Sequence, residues 1–278
     1  MIALTLLLSL AAPAQAVDTT VTLSRGDRVV IEGLSGAIVV TASSGDDLEV
    51  RSVTGTAPVE VRRTGASVLV GAEGARRRRS IDAAISVPAW VELEVRGAML
   101  DLSVSGVDGS IRVENLGGDV TVRDVDGALD IRSIRGEILV VDARGGVRAS
   151  SQTDDVTLRR VAGPVEVHSG DGDIVLEAIE SESVRAETLD GDVTFSGAIE
   201  PGGTYGFFLH DGDAWIELPA SVSARVSVST FDGEFVSDFP VRLERFSGGR
   251  EFDFVIGSGA ALLEIEVFDG EIRLQQRP

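Results

Sequence analysis

A nine-residue phrase recurs about ten times between residues 109 and 200, and that period leaves few folds open. Its first position falls on Gly109, Gly118, Gly127, Gly136, Gly145, Asp154, Gly163 and Gly172, then, after one inserted residue, on Glu182 and Gly191. Two positions later each unit carries an apolar residue, from Ile111 and Val120 to Val184 and Val193, and two further on a second, from Val113 and Val122 to Ala186 and Phe195. A period-2 pair of this kind, rich in β-branched residues and bounded by Gly and Asp, is a short strand between turns. The eighth position adds a third apolar residue in most units (Leu116, Val125, Ile134, Ala143, Val161, Ile179, Leu189), with Gln152 and Gly170 as exceptions. One unit cannot bury such a face alone. Its two or three side chains, worth about 1.5–3 kcal/mol each when buried, lose to about 1–2 kcal/mol of backbone entropy for every residue ordered. Stacking, which pairs each strand above and below and closes a continuous core, reverses that balance.

The outward residues set the number of units per coil. In alternate units the fourth position reads Arg112, Asp130, Arg148, Glu166, Arg185, an alternating column, and in the others Thr121, Leu139, Thr157, Val175, Thr194, with no charge. The sixth position of the first set reads Glu114, Arg132, Ser150, His168, Glu187 and largely complements the column beside it. Opposite charges on neighbouring strands stabilise and like charges destabilise. Grouping in threes destroys both patterns. The spacing therefore predicts two units per coil and two flat faces. With the right-handed connection that parallel strands favour, the expected fold is all-β, a right-handed parallel β-solenoid (β-helix) of about 18 to 21 residues per coil.

Outside the repeats the pattern remains strand and turn. Residues 17–96 read as an N-terminal β-region capping the first coil, with strands near 29–31, 37–41, 48–53, 59–61, 68–70, 80–87 and 90–95, and residues 97–278 as the solenoid with its C-terminal cap. All ten Phe, from Phe195 to Phe268, and Tyr205 lie in the last third, which predicts a wider coil and an aromatic-rich cap. Phe231-Asp232-Gly233-Glu234 recurs as Phe268-Asp269-Gly270-Glu271, and residues 241–252 read as an excursion turning at Ser247-Gly248-Gly249.

Residues 2–12 form an apolar run followed by Pro13 and Ala14-Gln15-Ala16, the pattern of a secretory leader (1–16) cleaved after Ala16. The expected location is therefore exported, periplasmic or at the cell surface. No later apolar stretch approaches the length of a membrane span, so none is expected in the mature chain. The absence of Cys excludes disulfides and thiolate sites, and the net charge of −20 disfavours nucleic acid as a partner. Arg76 to Arg79 stand out as a cluster of positive charge, read as a solvated loop or an anchor for an anionic surface.

Three stretches carry a likeness to a known family: Ala84 to Gly97, AISVPAWVELEVRG; Gly-bounded units such as GGDVTVRDVDG (117–127) and SGDGDIVL (169–176); and the closing VSVSTFDGEF (226–235) and VIGSGAALLEIEVFDGEIRL (255–274). In this order they resemble the bacterial putative-adhesin family of β-strand repeat proteins, a domain of unknown function, over residues 28–275. The resemblance implies an exported envelope or surface protein with no established enzymatic activity.

No residue pattern points to catalysis or to a cofactor. His168, Ser169 and Asp171 occupy consecutive outward or turn positions, which do not make a triad. Asp171-Gly172-Asp173, Asp190-Gly191-Asp192 and Asp211-Gly212-Asp213, followed by Asp232-Gly233-Glu234, would stack along one edge at one coil per interval. Asp-Gly is ordinary turn chemistry; a metal reading makes Asp171, Asp173, Asp190, Asp192, Asp211 and Asp213 ligands for Ca²⁺. The uncharged face (Thr121, Leu139, Val141, Thr157, Val175, Thr194) is either covered by the flanking regions or a surface for an envelope protein, a glycan or self-association. The function expected is a non-catalytic structural or adhesin-like binding module of the envelope. The alternative is a polysaccharide-active β-helix enzyme using paired carboxylates.

Overall fold

The computed structural model describes residues 18–55, 59–72, 80–240, 243–247 and 250–277. They form twenty-five strands joined into one hydrogen-bonded sheet, with no helix among the described residues. Each nonapeptide gives one strand, and pairing skips every other unit. Ile111–Asn115 pairs in parallel with Leu129–Ser133, that strand with Val147–Ser150, and that one with Val165–Asp171. The intervening units make a second parallel ladder through Val120–Val125, Ile138–Ala143, Val156–Val161 and Ile174–Ile179. Between the ladders the inward residues close a core. Ile111, Leu129, Val147, Val165 and Val184 from one, and Val120, Ile138, Val156, Ile174 and Val193 from the other, are at most 3% exposed.

The two corners of the coil are built differently, and the eighth-position residues diverge there. At one corner Asp124, Asp142, Arg160 and Ala178 have φ of 54°, 58°, 52° and 53°. This left-handed step turns the next residue inward, so Val125, Ala143, Val161 and Ile179 are at most 1% exposed. At the other corner the seventh-position residues are polar and buried, and three of them act as caps. Asn115 Nδ2 donates to the carbonyls of Leu100 and Gly118, Ser133 Oγ to that of Arg135, and Thr188 Oγ1 to that of Gly172. The following residue is then sent outward, leaving Leu116, Ile134 and Leu189 at 49%, 40% and 65% exposure. The expected third apolar contact is thus made at one corner only.

Close approach explains the glycine that opens so many units. A Cβ on Gly127 would lie 2.1 Å from the carbonyl oxygen of Gly109, and one on Gly145 2.3 Å from the carbonyl carbon of Gly127. Neither residue is among those with positive φ, so the demand is for space between rungs rather than for conformational freedom.

Both ends of the chain enter the stack out of sequence order. Arg28–Glu32 lies between Ser67–Ala72 and Glu92–Gly97, and Gly36–Ser43 between Ile81–Pro88 and Leu100–Ser105, all in parallel. At the far end Ala261–Arg277 lies between the coil of Thr204–Asp211 and Ala214–Pro219 and the strand Ala224–Ser237. The first and last rungs of the chain are therefore each tucked one place inside the stack. Antiparallel strands finish the outermost rungs. Val59–Thr64 pairs with Ser67–Ala72; Asp47–Gly55 pairs with Ile81–Pro88, with Asp18–Thr22 beyond it. Arg250–Ile256 pairs with Ala224–Ser237 and Leu243–Ser247 lies outside it, which is the excursion expected near 241–252. The boundary placed after residue 96 falls within Glu92–Gly97, a strand paired on both sides. Residues 1–16, Arg76 to Arg79, Gly248 and Gly249 lie outside the described residues.

The widening of the coil is filled by aromatics. Phe195, Tyr205, Phe207 and Phe254 are fully buried, with Phe195 and Phe207 centroids 5.1 Å apart. Tyr205 Oη donates to the Ser181 carbonyl at 2.5 Å and accepts from the Glu200 N–H at 2.8 Å. Burial raises its phenol above the usual range.

Gly127→Ala should cost on the order of 1–3 kcal/mol through overpacking, whereas Ala178→Gly, relieving a left-handed φ at an exposed position, should gain about 1 kcal/mol. Urea titration of the two variants reads both signs. A Gly127→Ala protein as stable as its parent would contradict the close rung spacing.

Candidate functional site

On the first face the charged columns stand in register. Arg112 lies opposite Asp130, Asp130 opposite Arg148, Arg148 opposite Glu166 and Glu166 opposite Arg185. Arg112 reaches Asp130 at 3.1 Å and Arg148 reaches Glu166 at 2.5 Å. His168 is bracketed by Glu166 at 3.1 Å and Glu187 at 2.8 Å, and Glu187 also pairs with Arg185. These pairs are open to solvent on that face, where each is worth little individually. The adjacent Ser169 is buried, on the interior side of the strand, so His168 and Ser169 do not face one another.

The Asp-Gly-Asp turns divide their two acids between different tasks. The second acid bonds across rungs: Asp155 accepts from the N–H of Asp173 at 2.9 Å, Asp173 from Asp192 at 2.8 Å, Asp192 from Asp213 at 2.8 Å, and Asp213 from Glu271 at 2.7 Å. A carboxylate on a backbone donor is a charge-assisted bond, stronger than a neutral one. The first acid is exposed, and the column reads Asp171, Asp190, Asp211, Asp269, Asp232. The expected order, with Asp232 directly after Asp211, is corrected here: the inserted last strand places Asp269 between them. Among the described residues no three His, Asp or Glu side chains are grouped as a metal centre.

At the neighbouring register Asp154 accepts from the Gly136 N–H at 2.9 Å, and this bond, with that from Thr153, holds its carboxyl below the ordinary aspartate range. Arg160 does the same for Asp142 by a two-pronged contact at 2.6 and 2.8 Å, and Arg273 for Glu271.

The second face carries the uncharged column. Thr121, Leu139, Thr157, Val175 and Thr194 lie in register and are half-exposed, so no described flanking region covers them. Val141, in the neighbouring column, is buried in register between Arg123 and Arg159. The column continues past the repeats, through Ser103 to Val39 in one direction and to Trp215 in the other, and both ends are well exposed. Periodicity had placed the middle of this column; its ends depend on pairing with non-repeat strands.

Residues 152–275 match the family described as Toastrack DUF4097. No curated protein matches the sequence. Among solved structures, the chain is similar to a putative adhesin from Bacteroides fragilis NCTC 9343, at 13% identity over 94% of this chain and 97% of that one, with a TM-score of 0.45. A putative adhesin from Parabacteroides merdae ATCC 43184 is similar at 11% identity over 94% and 97%, with a TM-score of 0.43. A putative cell adhesion protein from Clostridium sporogenes ATCC 15579 is similar at 9% identity over 95% and 100%, with a TM-score of 0.28.

Asp154 keeps its charge more readily folded than unfolded. Its contribution to stability is therefore complete above the unfolded value near pH ~4 and is lost as pH falls through the lower folded value. Asp154→Asn should flatten the acid limb of a stability-against-pH curve between about pH 5 and 2, read by thermal melts. The second acids already hold backbone donors, so the melting temperature should be equal in excess EDTA and in Ca²⁺. A rise with calcium would restore the metal reading of the Asp column.

Proposed function

We propose that this chain, whose residues 152–275 carry a Toastrack DUF4097 domain, is an exported, non-catalytic β-solenoid that serves the bacterial envelope as a structural or adhesin-like binding module. Its crossovers take the right-handed sense found in about 98% of parallel connections. The observation that carries the reading is the uncharged outer column, unbroken from Val39 to Trp215 and half-exposed where the repeats are most regular. Rungs about 4.8 Å apart present that column as a fixed, repeating surface. Such a surface suits an extended envelope glycan, an envelope protein or the same face of another copy.

The charged face supports the same reading. His168 is engaged by two glutamates, and the arginines beside it are engaged by acids of the same columns. Export is supported by the leader-like residues 1–16. No helix among the described residues is long and apolar enough to cross a membrane.

Leu139→Glu places a charge in the middle of the uncharged column. Pull-down from envelope extract and sedimentation velocity should both lose an association that the parent shows, with circular dichroism unchanged. Retained association would remove this face from the binding surface. Cleavage of an anionic polysaccharide by the parent protein would favour the enzyme alternative.

A further inference from the structure

A second surface lies at the corner of the coil rather than on its flat faces. Thr188 is opposite Leu209, Leu209 opposite Val267 and Val267 opposite Thr230, which sets the following residues Leu189, His210, Phe268 and Phe231 on successive rungs. The His210 ring stacks on Phe268 with centroids 4.8 Å apart and planes at 22°, and Phe268 on Phe231 at 4.8 Å and 4°. The stripe is preorganised by this stacking and still wet, because Leu189, Phe268 and Phe231 are 65%, 47% and 70% exposed. Folding does not demand apolar residues there, since Gln152 and Gly170 fill the same corner position on the two preceding rungs. Contiguous exposed apolar surface of this kind marks an interaction site.

The surroundings select the occupant. Exposed Asp190, Asp211, Asp269 and Asp232 run along one side of the stripe. On the other side a groove of about 540 Å³ is bordered by Phe208, over whose ring Arg185 lies, with Glu266 in its wall beside Glu187, which is already paired with Arg185 and His168. Acids on both flanks repel an anionic glycan, and they repel the same stripe of a second copy. A neutral sugar needs an open ring face; both faces of Phe268 are covered by His210 and Phe231, which leaves only the terminal Phe231 ring, too little for a run of sugars along the stripe.

We propose that this stripe docks an extended peptide segment of a partner protein that alternates Lys or Arg with aromatic or aliphatic side chains. The apolar side chains enter the groove beside the ring ladder, and the cations pair with the acids on either side. This is a site separate from the uncharged column.

Fluorescence anisotropy with labelled peptides of repeating Lys-Tyr, Glu-Tyr and Lys-Ser tests it, at low and at physiological salt. The Lys-Tyr peptide should bind, and Glu-Tyr and Lys-Ser should bind at least about tenfold more weakly. The double variant Phe231→Gln/Phe268→Gln, which repeats the glutamine that native Gln152 places at this corner, should lose about tenfold or more in affinity for Lys-Tyr. Asp190→Asn/Asp211→Asn should weaken binding and reduce its salt dependence. Circular dichroism and melting temperature should match the parent for both, and Leu139→Glu should bind Lys-Tyr unchanged. Equal binding of Lys-Ser would show general attraction to an acidic chain and overturn the proposal. So would parent-like binding by the Phe231→Gln/Phe268→Gln protein, absence of Lys-Tyr binding, or self-association that the Phe variants abolish.

Discussion

The structure depends on how closely one rung can lie on the next. Parallel ladders fix the spacing at about 4.8 Å, and at the corners the backbone of one coil runs almost into that of its neighbour, so that a single methyl group on Gly127 would overlap a carbonyl. That constraint explains why glycine opens the phrase; the residues after it are branched and apolar because, among the described residues, the strands alone enclose the core. It also explains the uniform register. A slip of one residue would expose every inward side chain and drive glycine-sized gaps against side chains.

Much of this was legible because it is local and periodic. The alternation of Arg112, Asp130, Arg148, Glu166 and Arg185 by itself specifies the rung pairing, since only a partner two units away makes those charges complementary. The corners were less legible. Leu116 and Val125 occupy the same place in the phrase, yet one faces water and the other the core, because the preceding residue is a buried asparagine in one case and a left-handed aspartate in the other. Hydrophobicity alone carries no trace of that difference. The ends were legible only in part: the recurrence of Phe231-Asp232-Gly233-Glu234 at Phe268-Asp269-Gly270-Glu271 marks two rungs that pair in register, but not where they are inserted. Nothing in residues 28–43 or 261–277 announces that they slot between rungs made by later or earlier parts of the chain, since every rung has the same apolar pattern and the choice of neighbour is a matter of global topology.

The carboxylates show how one composition serves several ends. In an Asp-Gly-Asp turn the second acid reaches a backbone N–H of the next coil, as Asp192 does to Asp213, and so contributes to cohesion along the stack. The first acid points to water and shapes the surface potential. A strongly acidic chain can thus be both internally bonded and outwardly charged, with its arginines spent on neutralising particular rungs, as Arg160 is on Asp142.

The tucked ends have a mechanical consequence. Once the edge strand Asp18–Thr22, paired on one side only, has yielded, tension along the chain would pull on strands laced to a neighbour on each flank, Arg28–Glu32 and Gly36–Ser43 at one end and Ala261–Arg277 at the other. Such a load shears many hydrogen bonds at once instead of unzipping them singly. A coil left at the very tip of the stack would peel away rung by rung; here the strands that would take the strain are the ones gripped from both sides.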